Sequence, residues 1–432
     1  MTNESKLPEG RLSRFARLAS LGARAGANLL FAKKAESTAH EMAEVLGTLR
    51  GIAAKVGQMA SYVDGVVPEE QRATYEAALG KLRAAAPTSS PTEVRRVIEE
   101  ELGAPIDELF VELDEHPIAS ASIGQVHRGR LHDGREVAVK VQHPGVAKAV
   151  ESDLANGSVI EHMVRAMGGR KLDSKRLYEE VCERFREELD YALEAQRQRS
   201  FRALHASDPT IHIPEVIDHR STGRVLTSDF VRGRTLEEVG AASEEARRAY
   251  AETLWRFVFK GNLVGGMFNA DPHPGNYVFQ DDGRISFLDF GCIQLIEGER
   301  KQDAITLHEA ALRRDEAGFG RAAAAILKTR GGRYEEAAIA YSRHCFVPIF
   351  SSPFRITRDF SGGLFRAMKD LGMEARTMEE GDFVPLPPGM VFMNRLQCGF
   401  YSVLARLDAE VDYAAVERGF IEEARARWIP AG

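Results

Sequence analysis

The sequence predicts an α+β fold of two lobes, a small β-rich lobe and a larger helical lobe, preceded by a helical extension. Three observations support this prediction. Apolar residues recur at three- and four-residue steps across residues 37–63, which is the period of an amphipathic helix. After Gly103 the pattern changes to β-like runs at residues 118–131 and 136–141. Beyond residue 289 the pattern is mostly helical again, apart from a proline-rich break at residues 385–388.

The composition limits the partners and the chemistry that the chain can have. Its 432 residues are 44% hydrophobic, which is enough for more than one lobe with a core. The net charge of −7 gives no global basic field, so nucleic acid is not expected as a partner. The four cysteines form no Cys-x-x-Cys pair, which predicts buried thiols in a reducing cytosol rather than a zinc or redox site. They are Cys182, Cys292, Cys345 and Cys398.

The chain has one segment that suggests a membrane surface, although no run is long enough to span a bilayer. The most apolar run, residues 396–404, is bounded by arginines, and the start of the chain lacks the hydrophobic region of a signal peptide. In residues 1–36, Arg11, Arg14 and Arg17 alternate with leucines and alanines, a basic amphipathic pattern that suits an anionic membrane surface. A solvated helix or a frayed terminus is the alternative. We therefore expect a cytoplasmic protein, either soluble or peripheral on a membrane.

Residues 37–103 are predicted to form a helical extension that carries Lys55-Val-Gly-Gln58. A lysine on a helix is usually a solvated charge, so Lys55 alone indicates nothing. Gly57 is less ordinary, because glycine inside a helix costs about 1 kcal/mol relative to alanine and suggests close packing against another backbone. The helix predicted at residues 92–102 ends at Gly103.

Residues 104–232 are predicted to form the β-rich lobe, whose first two strands contain a nucleotide pattern. Asp133-Gly134 is a strong hairpin signal between residues 118–131 and residues 136–141. The run from Ala119 to Val126 and the later Val-Ala-Val-Lys140 match the kinase pattern Gly-x-Gly-x-x-Gly-x-Val followed by Val-Ala-Ile-Lys, with alanine at the first two glycines. Lys140 would neutralise the α- and β-phosphates. The predicted nucleotide-binding residues are Ala119, Ser120, Ala121, Ser122, Gly124, Val126 and Lys140.

A long helix at residues 174–204 is predicted next, with Glu188 and Glu194 on it. A kinase needs a helix glutamate that holds the strand lysine in place. The two glutamates would lie roughly 120° apart around the axis, so one helix can direct carboxylates at two partners. A solvated acidic face paired with nearby arginines is the alternative. Two strands at residues 211–216 and 224–231 then lead to a hinge at residues 229–233, where backbone groups would meet an adenine edge.

Residues 233–432 are predicted to form the helical lobe with the catalytic and metal-binding loops. Asp271 and Asn276 have the Asp-x-x-x-x-Asn spacing of a kinase catalytic loop, and Asp289-Phe-Gly291 follows. In this pattern Asp271 orients a hydroxyl group or water, while Asn276 and Asp289 supply the oxygen ligands that Mg²⁺ prefers. Either fragment alone is weak, because short motifs match by accident. Their joint occurrence with Lys140, in the right order, predicts an ATP and Mg²⁺ site in a two-lobed protein-kinase-like fold.

These motifs together resemble the AarF/UbiB family of atypical kinases, over roughly residues 37–300. The marks are Lys55-Val-Gly-Gln58, the alanine-rich run from Ala119 to Val126, Lys140, Glu188-Leu-Asp190-Tyr191, Glu194, Asp271-Pro-His-Pro-Gly-Asn276 and Asp289-Phe-Gly291. The resemblance implies that Lys55 pairs with Glu188, that Glu194 pairs with Lys140, and that Asn276 and Asp289 bind the metal. It also implies ATP binding, conditional ATPase activity and a role in isoprenoid-quinone or other lipid metabolism at a membrane.

The chain departs from the family pattern at two places, and more than one function stays open. Asn269 stands where the family usually has a histidine, and Ser228-Asp229 replaces Met-Glu at the hinge. No Ala-Pro-Glu motif follows Asp289-Phe-Gly291, which argues against peptide docking. We predict an ATPase or small-molecule kinase that acts on, or is regulated by, a lipid-like ligand. A protein kinase and a nucleotide-binding scaffold without turnover are the alternatives.

Overall fold

A computed structural model of the protein describes residues 88–155, 174–296, 298–377 and 390–428. Several predicted features lie outside the described residues. They are Lys55 with its Lys-x-Gly-Gln motif, the basic segment at residues 1–36, the helix at residues 37–63 and the proline-rich break at residues 385–388.

The smaller lobe is built from an antiparallel sheet and helices that pack on it. In chain order the elements are α1 (Pro91–Leu102), α2 (Ile106–Leu109), β1 (Glu112–Leu113), β2 (Ala119–Ser120), β3 (Gly124–Arg130), β4 (Glu136–Gln142), α3 (Val146–Ala155), α4 (Ser174–Glu188), α5 (Tyr191–His205), β5 (Ile211–His212), a 3₁₀ turn (Asp218–Arg220) and β6 (Val225–Asp229). Of these, β5 and the C-terminal end of α5 contribute to the core of the larger lobe.

The larger lobe is mostly helical, as predicted, with short strand pairs at its front. Its elements are α6 (Leu236–Val239), α7 (Glu244–Phe259), a π-helix (Lys260–Gly265), β7 (Met267–Asn269), a 3₁₀ turn (Pro274–Asn276), β8 (Tyr277–Phe279), β9 (Ile285–Phe287), β10 (Ile293–Leu295), α8 (Glu299–Leu312), α9 (Glu316–Leu327), α10 (Gly332–Cys345), α11 (Val347–Phe350), β11 (Phe354–Arg355), α12 (Arg358–Thr377), α13 (Met390–Leu407), β12 (Glu410–Val411) and α14 (Tyr413–Trp428).

The sheet of the smaller lobe has the order β1-β3-β4-β6, and β2 also pairs with β3. All of these pairs are antiparallel. The hairpin predicted at Asp133-Gly134 is confirmed, because β3 and β4 pair from Gly124 opposite Gln142 to Arg130 opposite Glu136. Gly134 has φ +90°, a conformation that a side chain would strain, which explains glycine at this turn.

Helix α1 covers the outer face of this sheet. Ser90 and Glu93 form a capping box at its start, and Gly103 ends it with φ +70°, close to where the sequence places that end. Its buried face, Val94, Val97 and Ile98, packs with alternate residues of β4. These are Val137, Val139 and Val141, so the opposite face of β4, which carries Lys140, is directed at the cleft.

Two predictions of a single continuous element are wrong, because each segment forms two elements. Residues 118–131 form two strands rather than one, because the chain reverses at residues 121–123, where the N–H of Ala121 donates to the carbonyl of Gly124 at 2.8 Å. Residues 174–204 form two helices, because Asp190 has extended backbone angles and its carboxylate accepts the N–H groups of Ala192 and Leu193. An N-cap therefore starts a new helix inside a run of good helix formers. The 120° estimate for Glu188 and Glu194 on one helix does not apply.

Two strand pairs of the larger lobe bring the predicted loops together. Strand β7 pairs antiparallel with β10, so that Asn269 lies opposite Ile293. Strand β9 pairs with β8 and, in parallel, with β5. As a result two segments leave the sheets side by side. One follows β7 and contains Asp271 and Asn276, and the other lies between β9 and β10 and contains Asp289.

The larger core lies behind these loops and is rich in aromatic side chains. Trp255 is fully buried and stacks on Phe259 at 4.2 Å between ring centroids, with Tyr413 at 4.1 Å. In the part of the chain that the structure describes, no helix is long and apolar enough to cross a membrane.

Candidate active site

Lys140 lies at the centre of the candidate site and contacts two carboxylates. Its ammonium nitrogen Nζ lies 2.9 Å from both carboxylate oxygens of Glu194 and 3.8 Å from Oδ2 of Asp289. The side chain of Glu194 is 3% exposed, whereas that of Asp289 is 36% exposed. The ammonium of Lys140 is thus held by a buried glutamate. It also faces the carboxylate of Asp289, which solvent or a ligand can reach.

The charge of Lys140 is maintained by these neighbours. Burial alone would lower the pKa of its ammonium, but the charges of Asp289 and Glu194 outweigh burial and hold that pKa well above its ordinary value. The ring of Tyr191 lies beneath the ammonium, with 4.9 Å between Nζ and the ring centroid. Lys140 therefore stays a cation over the whole physiological pH range, as a partner for phosphate must.

Glu188 reaches the same place from the end of α4, although the helix break separates it from Glu194. The point that a Cβ atom on Gly291 would occupy lies 3.3 Å from Oδ1 of Asp289, 3.6 Å from Oε2 of Glu194 and 3.9 Å from Cγ of Glu188. The structure thus brings together Lys140, Glu188, Glu194 and Asp289. The pairing of Glu188 with Lys55 stays a prediction, since Lys55 lies outside the described residues.

The loop after β7 is tied to the loop of Asp289 by Asn269. The side-chain amide of Asn269 donates to the backbone carbonyl of Asp289, and its side-chain oxygen accepts the N–H of Asp271 at 2.9 Å. The N–H of Leu288 also donates to the carbonyl of Asn276 at 3.0 Å. Asn269, which replaces the usual histidine, therefore bridges the two loops through both ends of its amide.

The predicted metal ligands offer a donor set that fits Mg²⁺. The amide nitrogen of Asn276 donates to the carbonyl of Asp271 at 3.1 Å, which leaves its side-chain oxygen as the atom it can offer to a cation. Asp289 adds a carboxylate whose Oδ1 accepts the N–H of Gly291 at 2.9 Å. One carboxylate and one amide oxygen, with the remaining ligands from phosphates and water, are an ordinary protein set for Mg²⁺. No cluster of three or more His, Cys, Asp or Glu side chains suited to a metal is present among the described residues.

The alanine-rich run forms a short hairpin whose tip faces solvent. Ala119 and Ala121 are exposed, and Ser120, Ser122 and Val126 are half-buried. Val126 lies opposite Lys140 across the β3–β4 pair. Gly124 is different, because it is buried, and a Cβ atom there would lie 2.5 Å from the hydroxyl oxygen of Tyr191 and 2.6 Å from the carbonyl oxygen of Val141. Packing against Tyr191 therefore requires glycine at residue 124.

The predicted hinge connects β6 to the larger lobe. Ser228 and Asp229 pair with Ala138 and Val137 of β4, and the N–H of Phe230 donates to the carbonyl of Glu136 at 2.9 Å. Gly233 must be glycine, because a Cβ atom there would lie 2.5 Å from the carbonyl oxygen of Phe279. The backbone of this connection thus lies directly against both lobes.

Phe290 of the Asp-Phe-Gly sequence anchors its loop in the core. The side chain is fully buried, and its ring lies 5.2 Å from the ring of Phe201 on α5. Phe201 in turn lies 5.5 Å from Phe257 on α7. The helix that supplies Glu194 therefore also holds the residue next to Asp289, so the two carboxylates near Lys140 are positioned together.

Three residues at this site were not predicted as functional from the sequence. The sequence marks Tyr191 only as part of the family motif, but Tyr191 lies under Lys140 and excludes a side chain at residue 124. Asn269 is a departure from the family pattern in the sequence, but in the structure it joins the two loops. Arg197, one of the arginines near the predicted acidic face, donates to the carbonyl of Gly291 at 3.1 Å. The positions of Tyr191 and Arg197 depend on where α5 begins, which the helical pattern does not reveal, and that of Asn269 depends on the pairing of β7 with β10.

Comparison with known proteins finds similarity to atypical kinases. Residues 81–323 match the model of the ABC1 atypical kinase-like domain. Among curated proteins, rat "Atypical kinase COQ8B, mitochondrial" is 27% identical over 95% of this chain and 80% of its own length. Arabidopsis thaliana "Protein ACTIVITY OF BC1 COMPLEX KINASE 7, chloroplastic" is 34% identical over 60% of this chain, which spans only 37% of that protein.

A solved structure is similar over nearly the whole chain. It is the complex of Rv3197 with erythromycin from Mycobacterium tuberculosis, with a TM-score of 0.59 and 26% sequence identity. The match covers 93% of this chain and 97% of that chain. The matched domain model spans more than half of the sequence and includes Lys140, Glu194, Asp271, Asn276 and Asp289. The chain belongs to the ABC1 atypical kinase-like family, the AarF/UbiB family that its motifs predict.

Proposed function

We propose that the protein binds ATP with Mg²⁺ in the cleft between its lobes and transfers the γ-phosphoryl group to water or to a small acceptor. The observation that carries the proposal is the position of Lys140, 2.9 Å from Glu194 and 3.8 Å from Asp289. A cation fixed between a buried glutamate and an accessible aspartate is the arrangement that a kinase uses to hold nucleotide phosphates beside a metal.

Each site residue has a role that follows from its surroundings. Lys140 would neutralise the α- and β-phosphates, and Glu194 would keep its ammonium in place. Asn276 and Asp289 would hold Mg²⁺, which when bound neutralises charge on the phosphates. Asp271, whose backbone is fixed by Asn269, would orient the attacking hydroxyl group or water. The hairpin from Ala119 to Val126 would cover the phosphates, and the hinge at residues 229–233 would meet the adenine.

The acceptor is inferred from the family and from what the chain lacks. The AarF/UbiB relationship supports a role in isoprenoid-quinone or other lipid metabolism, and the basic segment at residues 1–36 supports a peripheral contact with a membrane. The sequence has no Ala-Pro-Glu motif after Asp289-Phe-Gly291, which disfavours a protein substrate. A lipid-like molecule, as acceptor or as activator, is therefore preferred over a peptide.

The metal and catalytic assignments are tested by two isosteric substitutions. Asp289→Asn should abolish the Mg²⁺-dependent thermal stabilisation by ATP and leave the melting temperature of the free protein nearly unchanged. Asp271→Asn should keep that stabilisation and lose turnover, because Asp271 positions the attacking group rather than the nucleotide. Equal stabilisation of Asp289→Asn and the parent by Mg²⁺ and ATP would remove the metal assignment.

The acceptor is tested by measuring ATP turnover with and without anionic liposomes and with candidate quinone precursors. We expect turnover to rise several-fold with liposomes or precursor, and the Asp271→Asn variant to show no rise. Absence of turnover under every condition, with normal nucleotide binding, would favour the scaffold instead.

A further inference from the structure

Three charged side chains next to the candidate site form a half-buried cluster that the assigned roles do not use. Oε2 of Glu187 accepts hydrogen bonds from Nη1 of Arg184 at 2.6 Å and from Nη2 of Arg197 at 2.8 Å. The exposed fractions of the three side chains are 20% for Glu187, 18% for Arg184 and 12% for Arg197. We call Arg184, Glu187 and Arg197 the clamp.

The clamp is attached to the segment that follows Asp289. Nη1 of Arg197 donates to the carbonyl oxygen of Gly291 at 3.1 Å, and Nη1 of Arg184 donates to that of Ile293 at 2.9 Å. The N–H of the same Gly291 donates to Oδ1 of Asp289 at 2.9 Å. Arg197 thus holds the carbonyl of the same residue whose N–H orients the carboxylate of Asp289. A guanidinium group can do this because its fork of donors reaches a carboxylate and a carbonyl together.

The clamp also joins the two helices that supply the glutamates of the site. Glu187 and Glu188 are the last residues of α4, whereas Arg197 and Glu194 lie on α5. Glu187 is bound to the clamp, and its neighbour Glu188 lies with Cγ 3.9 Å from the Cβ position of Gly291. A displacement of the end of α4 would therefore move Glu188 and release the Asp289 loop at the same time.

We infer that Arg197 and Glu187 are positioning residues that set the affinity of the Asp289 loop for Mg²⁺, so that the position of α4 controls the loading of the site with metal. This inference rests on the proposed Mg²⁺ and ATP binding. Glu187 is essential to it, because without its carboxylate the two arginines would repel each other across a half-buried space. Arg197 would act on Asp289 through Gly291 and would touch neither the nucleotide nor the metal.

The chain contains a matched control for this inference. Arg186 lies on the same helix as Arg184 and pairs with Glu151, but this pair is on the outer surface, with side chains 55% and 52% exposed. Replacing Arg186 with glutamine removes one charge and one ion pair from α4 without touching the Asp289 loop. An effect due only to helix charge or to surface pairing would appear in this variant as well.

The experiment measures thermal stabilisation of the full chain at a fixed saturating ATP concentration while Mg²⁺ is titrated. We expect Arg197→Met to raise the half-saturating Mg²⁺ concentration about tenfold, and Glu187→Gln to raise it several-fold. Arg197→Lys keeps the charge but lacks the forked donors, so it should fall between Arg197→Met and the parent. Arg186→Gln should match the parent. A role confined to stability would lower the melting temperature of the free protein and leave the Mg²⁺ dependence unchanged.

The outcomes separate this inference from the proposed function. If Mg²⁺ and ATP do not stabilise the parent, the proposed function fails and this inference fails with it. If the parent is stabilised and Arg197→Met and Glu187→Gln show the same half-saturating Mg²⁺ concentration as the parent, only the inference is overturned. If Arg197→Met does not fold, Arg197→Lys and Glu187→Gln decide, and an unchanged Mg²⁺ dependence in both overturns it.

Discussion

Glu417 in the helical lobe and Glu194 in the cleft are both buried glutamates, but they differ in whether the hydrogen-bond donors around them serve one carboxylate or two. Glu417 is fully buried, and each of its oxygens has one donor: Nε1 of Trp255 at 3.1 Å and Nδ1 of His308 at 2.7 Å. In the cleft, Glu194 and Asp289 share the single ammonium of Lys140, at 2.9 and 3.8 Å. In the first cluster each carboxylate oxygen has its own donor, whereas in the second two carboxylates share one ammonium.

This difference teaches that burial alone does not identify a functional carboxylate. A buried group whose partners satisfy it fully adds to the uniqueness and stability of the core. A group of like charges held together at a partly open cleft costs stability unless a cation joins it, and that is the arrangement expected where a metal and phosphates bind. Substitutions of the same type at the two glutamates should therefore affect different properties.

The largest effect on stability is expected for Glu417→Leu. The substitution keeps a similar side-chain volume but leaves the indole N–H of Trp255 and the imidazole of His308 buried without their acceptor. We expect the free energy of unfolding to fall by about 3 kcal/mol. Denaturant unfolding at pH 7 measures this value. A loss below about 1 kcal/mol would show that the two hydrogen bonds to Glu417 contribute little to stability.

The matched substitution in the cleft, Glu194→Leu, should act on turnover instead. When Glu194 is replaced, the ammonium of Lys140 still has the carboxylate of Asp289 at 3.8 Å. The Lys140 side chain is also 23% exposed, so its charge is not left buried without a partner. We expect the free energy of unfolding to fall by less than it does for Glu417→Leu, because Asp289 still offers the ammonium a carboxylate partner. ATP turnover should fall about a hundredfold, because the lysine is no longer held in place. The two assays are run on the same preparation, and unchanged turnover would contradict the role given to Glu194.

A third buried group, His205, makes the stability depend on pH. Unlike His308, it has no hydrogen-bond partner for its ring in the described structure. Its ring stacks on Phe257 at 5.0 Å and on Phe201 at 6.2 Å between ring centroids, and neither ring nitrogen has a hydrogen-bond partner in the described structure. Burial, with a smaller effect from Lys260, lowers the pKa of His205 from 6.5 to about 3. In the unfolded chain His205 therefore binds a proton as the pH falls below 6.5, whereas in the folded chain it binds one only near pH 3. Stability is full above pH 6.5 and is lost as the pH falls through this interval.

The size of this effect follows from the two pKa values. Each pH unit below 6.5 costs about 1.4 kcal/mol, so His205 should remove about 2 kcal/mol of stability between pH 7 and pH 5. His205→Leu should abolish that loss without lowering stability at pH 7, because leucine needs no hydrogen bond. Unfolding free energies of parent and variant at the two pH values measure it. A variant as sensitive to pH as the parent would assign the acid loss to other groups.

Much of the arrangement around the cleft is predictable from the sequence, because it is encoded locally. The Asp133-Gly134 hairpin needs a glycine with φ +90°, and the loop residues Asp271, Asn276 and Asp289 have a fixed spacing. The β3–β4 pairing then fixes Lys140 on the face opposite the core residues Val139 and Val141. The family membership and the two-lobed fold follow from these elements together.

The parts that were not predictable depend on interruptions and on long-range contacts. Propensity favours one helix across residues 174–204, and the side chain of Asp190 overrides it by capping a second helix. That break, rather than the helical period, brings Glu188 and Glu194 to Gly291 together. Likewise helix propensity does not distinguish Glu187 from Glu188, although Glu187 binds two arginines and Glu188 lies at the site.

The smallest expected effect concerns Ala121, at the exposed tip of the hairpin from Ala119 to Val126. Its N–H donates to the carbonyl of Gly124 at 2.8 Å, and its carbonyl accepts from Nε2 of His143 at 3.0 Å, so the tip is closed by its own hydrogen bonds. Glycine at this residue has more accessible backbone conformations than alanine, a difference in conformational entropy of about 0.5 to 1 kcal/mol. It would also let the tip approach the phosphates more closely. We expect Ala121→Gly to change the ratio of ATP to ADP affinity by about two- to fivefold, because only ATP carries a γ-phosphate under the tip.

Calorimetric titration of Ala121→Gly with each nucleotide measures this ratio. Ala104→Gly, a substitution of the same type at the end of α1, serves as the control, because Ala104 packs against the core of the smaller lobe. Equal, parallel changes in ATP and ADP affinity at Ala121 would mean that the tip does not face the γ-phosphate. The negative charge of the cleft would then be neutralised by the metal and Lys140 alone. The hairpin would form a wall of the cleft without selecting between ATP and ADP.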